Sequence, residues 1–228
     1  MAITPDRIRI LMAEDEGLFR DLLSTVLGKQ DRLEPVGSFG DAASALRAAP
    51  ALRPDVALLD IELGDGMNGV QLGIKLREKL PKLGIVLLSN HNDPRLLTSL
   101  PPQSMGGWSY LIKKSVTNTS SLLRAIEGAA AGLVVLDPAL TGNRTASGSG
   151  PLNELTPRQK DILELIAEGF TNAAIADELG LTVKSVENQI NGLYQALAID
   201  RDDRFVQPRV NAVLIYLENT RDRPLPTL

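Results

Sequence analysis

Six side chains stand just after or within apolar runs, and together they could do phosphoryl chemistry. Glu14 and Asp15 follow the run from Arg7 to Met12, Asp60 closes Val56–Leu59, Ser89 closes Ile85–Leu88, and Lys113 follows Ile112 with Tyr110 just inside that run. Carboxylates gathered at one point repel one another unless a divalent cation sits among them. A hard, all-oxygen site with few protein ligands suits Mg²⁺. A carboxylate beside Mg²⁺ can attack a phosphoryl group while the metal and a lysine neutralise the phosphoryl oxygens, and the product is an aspartyl phosphate.

That chemistry requires residues far apart in the chain to meet, so the elements between them matter. After the first apolar run comes a stripe of Leu18, Leu22, Leu23, Val26 and Leu27, read as a helix. The alternation repeats through Glu34–Gly37 and Asp41–Ala49, Asp55–Asp60 and Asn68–Leu80, Gly84–Leu88 and a short helix, then Trp108–Ile112 and Ser120–Ala131. Val56–Leu59 and Ile85–Leu88 are apolar throughout, as central parallel strands covered on both faces must be. The expected fold is α/β doubly wound, flavodoxin-like, with a parallel five-stranded sheet. In such a sheet ligands collect at the carboxyl ends of the strands, which is where the six residues fall.

The 228 residues suit two domains, and 43% hydrophobic with 23% charged residues is the composition of a folded protein. The absence of cysteine excludes disulfides, thiolate zinc sites and cysteine nucleophiles, and the lone His91, read as a surface loop residue, argues against histidine-rich metal sites. No apolar run approaches a membrane span and the N-terminus has no signal-peptide pattern, so no membrane association and a cytoplasmic location are expected. Residues 139–150 lack periodicity and are rich in Gly, Ser and Thr. They divide the chain into a first domain at 1–136, a flexible linker at 137–151 and a second domain at 152–228. Beyond the linker only helices are read. One starts at Thr156-Pro157-Arg158-Gln159 with a cap and a first-turn proline and ends near Gly169; a second spans Asn172–Leu179 and stops at Gly180; a third starts at Thr182; a last one follows Pro208. Three short helices with a tight turn suggest helix-turn-helix.

The constellation of Glu14, Asp15, Asp60, Ser89, Tyr110 and Lys113 resembles the receiver domain of response regulators over about residues 6–131. The resemblance implies that Asp60 is the phosphoacceptor and that Glu14 and Asp15 form the acidic pair, with Asp15 the direct metal ligand. It also implies that Glu62 offers its backbone carbonyl to Mg²⁺, that Lys113 and Ser89 contact the phosphate, and that Tyr110 changes rotamer with Ser89. A sensor histidine kinase is the implied partner, and self-phosphorylation and dephosphorylation of Asp60 are the implied chemistry, not enzymatic turnover. Two stretches depart from the family: Gly64-Asp65-Gly66-Met67-Asn68-Gly69 is longer than the usual turn, and Asp93-Pro94 with Pro101-Pro102 shortens the fourth helix. The same loop fits the dinucleotide pattern G-x-G-x-x-G, but it follows the third strand, and Asp60 would repel a pyrophosphate. Leu58-Leu59-Asp60-Ile61-Glu62 also resembles the nucleophile motif of haloacid-dehalogenase-type phosphatases, in which a second Asp stands where this chain has Glu62.

Residues 152–217 resemble the LuxR-type helix-turn-helix of NarL/FixJ regulators, through Leu155–Leu163 and Ile166–Ala176. Double-stranded DNA, bound as a homodimer, is the implied partner. In the third helix Val186, Ile190, Leu193 and Leu197 face the core, leaving Lys184, Glu187, Asn188, Asn191 and Gln195 to read bases. The charge balance runs against this. The net charge is −4, and from Pro151 onward eight Lys and Arg face twelve Asp and Glu. Glu187 stands where the family usually has Lys. A helical module that binds a protein partner is the alternative reading. The stripe of Val210, Val213, Leu214 and Leu217 either supplies a dimer contact or closes the small core.

Overall fold

The computed structural model describes residues 7–64, 66–91, 104–117, 119–141, 144–146, 150–201 and 207–222. It falls into two compact units: Met1–His91 with Gly107–Gly132, and Asn92–Gly106 with Leu133–Leu228. The shortened fourth helix expected from the prolines at 94, 101 and 102 lies outside the described residues, as does Asp65 of the loop after Asp60.

In the first unit β1 (Ile8–Ala13), β2 (Leu33–Phe39), β3 (Val56–Asp60), β4 (Gly84–Ser89) and β5 (Trp108–Ile112) run parallel in the order β2-β1-β3-β4-β5. The chain begins in the middle of the sheet, winds to one side and then crosses to the other, so β1 and β3 flank the point where the winding reverses. Ala13 pairs with Leu59, Asp60 with Leu88 and Ser89 with Ile112, so the residues that follow each strand emerge along one edge. Every residue of β3, β4 and β5 is buried, which accounts for the unbroken apolar runs Val56–Leu59 and Ile85–Leu88. A two-residue strand, β6 (Val135–Leu136), was not among the five expected; it belongs to the second unit.

Three helices connect these strands, α1 (Gly17–Gly28), α2 (Ala42–Leu52) and α3 (Gly69–Lys79), and a fourth, α4 (Thr119–Ala130), follows β5 after a 3-10 turn at Lys113–Thr117. Helix α3 starts where its sequence provides a capping box, with Asn68 Oδ1 accepting from the Gln71 N–H at 2.9 Å and Gln71 Oε1 accepting from the Asn68 N–H at 3.1 Å. The stripe read on α1 requires correction. Leu23 and Leu27 are buried, whereas Leu18 is 81% and Leu22 46% exposed. The five residues span two seams of the helix, and only the seam of Leu23 and Leu27 faces the sheet.

The second unit contains α5 (Pro138–Thr141), β7 (Arg144–Ala146), a 3-10 turn at Pro151–Glu154, α6 (Pro157–Ala167), α7 (Asn172–Leu179), α8 (Val183–Ala196), α9 (Pro208–Asn219) and β8 (Thr220–Asp222). Thr156, Thr171 and Thr182 cap α6, α7 and α8, and Gly180 adopts a left-handed conformation (φ 63°) that ends α7. The segment read as a flexible linker thus carries a helical turn and a strand. Strand β7 pairs antiparallel with β8, Leu140 and Thr141 are buried, and the Tyr216 hydroxyl donates to the Thr141 carbonyl at 2.8 Å. Polarity and missing periodicity signalled a loop there, but they carry no information about long-range pairing with residues 220–222.

Candidate functional site

The carboxyl edge of the sheet brings the predicted residues together. Glu14 and Asp60 are 0% and 1% exposed, and Lys113, 8% exposed, reaches both: its Nζ donates to Glu14 Oε1 at 2.9 Å and to Asp60 Oδ2 at 3.0 Å. Asp60 Oδ1 accepts from the Glu62 N–H at 3.1 Å, so both oxygens of this carboxylate are held. Arg20 Nη1 donates to the carbonyls of Glu14 (2.7 Å) and Asp15 (3.3 Å), fixing the loop that presents the acidic pair. The Phe19 ring lies 5.0 Å from Lys113 Nζ, within cation–π range. Arg20 and Phe19 were missed because a residue that positions others has no spacing signature of its own.

The electrostatics follow from burial. Desolvation pushes the Glu14 carboxyl up to about 7; the Asp60 charge adds to this, and the Lys113 ammonium opposes it. Burial alone would lower Lys113, but its hydrogen bonds to Glu14 and Asp60 outweigh that and hold the ammonium above its usual range. One ammonium against three carboxylates leaves the site short of positive charge. Oxygens of Glu14, Asp15 and Asp60 all lie within 4.8 Å of one another, and Glu14 Oε2 is buried without a hydrogen-bond partner. An orphaned buried oxygen in a cluster of hard donors fits a divalent cation with a preference for oxygen.

Two glycines shape the loop after Asp60. A Cβ on Gly69 would lie 2.1 Å from the Asp60 carbonyl oxygen, so the start of α3 passes over the Asp60 backbone at a distance only glycine permits. Gly64 takes φ 67°, beside Asp15 Oδ2. The glycine spacing that imitates a nucleotide fingerprint therefore has a packing cause.

Ser89 and Tyr110 meet through a third residue. Ser89 Oγ accepts from the His91 N–H at 3.0 Å, and the Tyr110 hydroxyl, on a fully buried ring, donates to the His91 carbonyl at 2.8 Å. The His91 ring is exposed, as read, yet its Nε2 lies 3.0 Å from Glu62 Oε1, while Asn90 Nδ2 donates to Glu62 Oε2 at 3.2 Å. Residues 89–91 and Glu62 thus form a bridge between the loops after β3 and β4, which the sequence did not reveal.

In the second unit, Val186, Ile190, Leu193 and Leu197 are buried as expected, joined by Tyr194. Lys184, Asn188 and Gln195 are exposed, and Glu187 and Asn191 are half-exposed. Lys184 Nζ lies 3.3 Å from Glu187 Oε2, so the one cation of α8 is engaged within its own helix. Val210, Val213, Leu214 and Leu217 are at most 6% exposed and close the core with α6, which leaves no apolar stripe on α9 for a dimer contact. Arg209, in the first turn of α9, donates to Asn172 Oδ1 at 3.2 Å and to the Phe170 carbonyl, tying α9 to the turn between α6 and α7.

A doubly wound sheet with a buried acid–lysine cluster at its carboxyl edge, continued by a helix-turn-helix unit, defines a two-part signalling protein. Residues 10–127 match the response regulator receiver domain and residues 153–203 the bacterial regulatory proteins of the luxR family; the chain belongs to the response regulator family. It is 31% identical to the DNA-binding transcriptional activator DevR/DosR of Mycobacterium tuberculosis over 224 residues, covering 95% of this chain and 97% of that one. It is 33% identical to the nitrate/nitrite response regulator protein NarL of Escherichia coli over 200 residues, covering 83% and 89%. The RcsB response regulator of Salmonella typhimurium shares the fold at a TM-score of 0.51, with 21% identity over 93% of this chain and 99% of that chain. Among the described residues no helix is long and apolar enough to cross a membrane.

Proposed function

We propose that Asp60 accepts a phosphoryl group from a sensor histidine kinase, and that this event gates binding of the α7–α8 helix-turn-helix, as a homodimer, to double-stranded DNA in the cytoplasm. The receiver is assigned to residues 1–136 and the output to 152–228, with α5 and β7 carried in the linker at 137–151. The observation that carries the reading is the Asp60 carboxylate, held between Lys113 and the Glu62 N–H beside two further acids, in a chain that continues into a helix-turn-helix. A relative aligned over nearly the whole chain bears the name of a DNA-binding transcriptional activator, which supports the DNA assignment.

Glu14, Asp15 and Asp60, with the Glu62 backbone carbonyl, would hold Mg²⁺, which when bound supplies positive charge against the phosphoryl oxygens. An Asp60 carboxylate oxygen attacks phosphorus as the bond to the donor's leaving group breaks, leaving an acyl phosphate on Asp60. Lys113 stays in place and transfers one hydrogen bond from the carboxylate to a phosphoryl oxygen. Ser89 exchanges the His91 N–H for the phosphoryl group, and Tyr110 changes rotamer once His91 moves, so a local charge event becomes a change of surface. Lys184, Glu187, Asn188, Asn191 and Gln195 then face the major groove.

The test is incubation with acetyl phosphate and Mg²⁺, followed by duplex selection with beryllofluoride as a stable acyl-phosphate mimic. The wild type is expected to take up one phosphoryl group and Asp60→Asn none, and an enriched duplex motif is expected to sharpen with the mimic. Sustained turnover of a generic phosphomonoester would instead support the phosphatase reading. Labelling without any enriched duplex would support a protein-binding output.

A further inference from the structure

Four large hydrophobic side chains are exposed among the described residues, and Val183, 43% exposed, is the one in the second unit. It occupies the first position of α8, immediately after the Thr182 cap. At 100° per residue it stands on the rim between the buried stripe of Val186, Ile190 and Leu193 and the outward face of Lys184, Glu187 and Asn191. The core stripe becomes fully packed only one turn later, at Val186.

The polar groups around Val183 are engaged within the helix. Thr182 Oγ1 accepts from the Ser185 N–H at 3.1 Å, and Lys184 pairs with Glu187 at 3.3 Å. What the head of α8 presents to solvent is the half-exposed isopropyl group of Val183. Helix-turn-helix proteins bring the first residues of this helix to base edges, and the apolar group on a base edge in the major groove is the thymine 5-methyl. With a single cation on α8, engaged by Glu187, phosphate attraction at this helix is weak, and discrimination must come from base contacts.

We propose that Val183 is a specificity-determining residue that reads a thymine methyl group in the bound duplex. This rests on the reading of α8 as a major-groove helix. The polar set at 184–195 selects hydrogen-bonding edges, whereas Val183 adds a requirement for a methyl group that this polar set does not impose.

The test uses the full-length protein with Mg²⁺ and beryllofluoride. A duplex selected from a random library is remade with each thymine replaced in turn by uracil, which removes only the methyl. Affinities are measured at one salt concentration for wild type, Val183→Ala and Val183→Thr, which keeps the branched start of the helix. One uracil position is expected to weaken the wild type about fourfold, the loss of one methyl-sized contact. At that position Val183→Ala should bind thymine and uracil duplexes equally, with an unchanged melting temperature. An equal uracil penalty in wild type and Val183→Ala at every position would overturn the proposal while leaving DNA binding intact, and so would the absence of any penalty. Failure of the wild type to enrich any duplex would overturn the major-groove reading and this proposal with it.

Discussion

Two lysine–glutamate pairs of similar length behave differently in this molecule. Lys113 meets Glu14 at 2.9 Å with side chains 8% and 0% exposed, whereas Lys184 meets Glu187 at 3.3 Å with side chains 78% and 45% exposed. Water screens the second pair, and contacts of that kind contribute roughly 0.2–1 kcal/mol. The first is desolvated, and removing one partner leaves uncompensated buried charge at about 3–5 kcal/mol. The buried pair is therefore committed to one arrangement by the fold, while the exposed pair can be rearranged by whatever α8 meets.

The largest expected effect comes from breaking the buried network. Lys113→Met should abolish any gain in DNA affinity on phosphorylation, because nothing remains to follow the charge from carboxylate to phosphoryl group. It should also destabilise the metal-free protein by about 3 kcal/mol in urea unfolding, with Mg²⁺ recovering part of the loss. Unchanged unfolding without metal would mean that the carboxylates are not desolvated as their burial implies. In the wild type the pH dependence has a definite sign. Because the folded Glu14 carboxyl is raised from 4.5 to about 7, its stabilising contribution is full below 4.5 and is lost as pH rises through about 7. The metal-free melting temperature should fall across that window, and Mg²⁺ should flatten the fall by replacing the proton.

A smaller effect is expected at Gly69. A Cβ 2.1 Å from the Asp60 carbonyl forces the start of α3 away from Asp60, at roughly 1–3 kcal/mol of stability. On the proposed role of Asp60, Gly69→Ala should slow labelling by acetyl phosphate more than a destabilising core substitution remote from that carbonyl, such as Leu76→Ala on the same helix. Equal slowing in the two variants would reduce Gly69 to a packing residue.

The contrast between the two regions also sets what could be read in the sequence. Unbroken apolar runs fixed the parallel sheet, and the residues just after those runs fixed the acid–lysine cluster, because burial on both faces leaves a composition signature. The cap at Thr156 and the stop at Gly180 were equally legible, being local rules. The Glu62–His91 bridge, the Arg20 clamp and the pairing of β7 with β8 were not, since each joins residues distant in sequence through side chains or strand edges without periodicity. On α1 the pattern misled: leucines on two seams look like one wide stripe until the sheet chooses between them.

The smallest effects belong to the exposed pair, and they test whether α8 is held in reserve by its own acid. Glu187→Gln releases Lys184 without adding charge, so in binding to nonspecific duplex the slope of log affinity against log salt should steepen by about 0.9, the value for one additional phosphate contact. Glu187→Lys both releases Lys184 and adds a cation, so the steepening should be about 1.8, with stronger binding at low salt. Neither should change thermal stability measurably, since the pair is screened. If Glu187→Gln left the slope unchanged while Glu187→Lys steepened it by about 0.9, Lys184 would already be contacting phosphate in the wild type. The acidic side chain would then repel the duplex backbone without sequestering its neighbour.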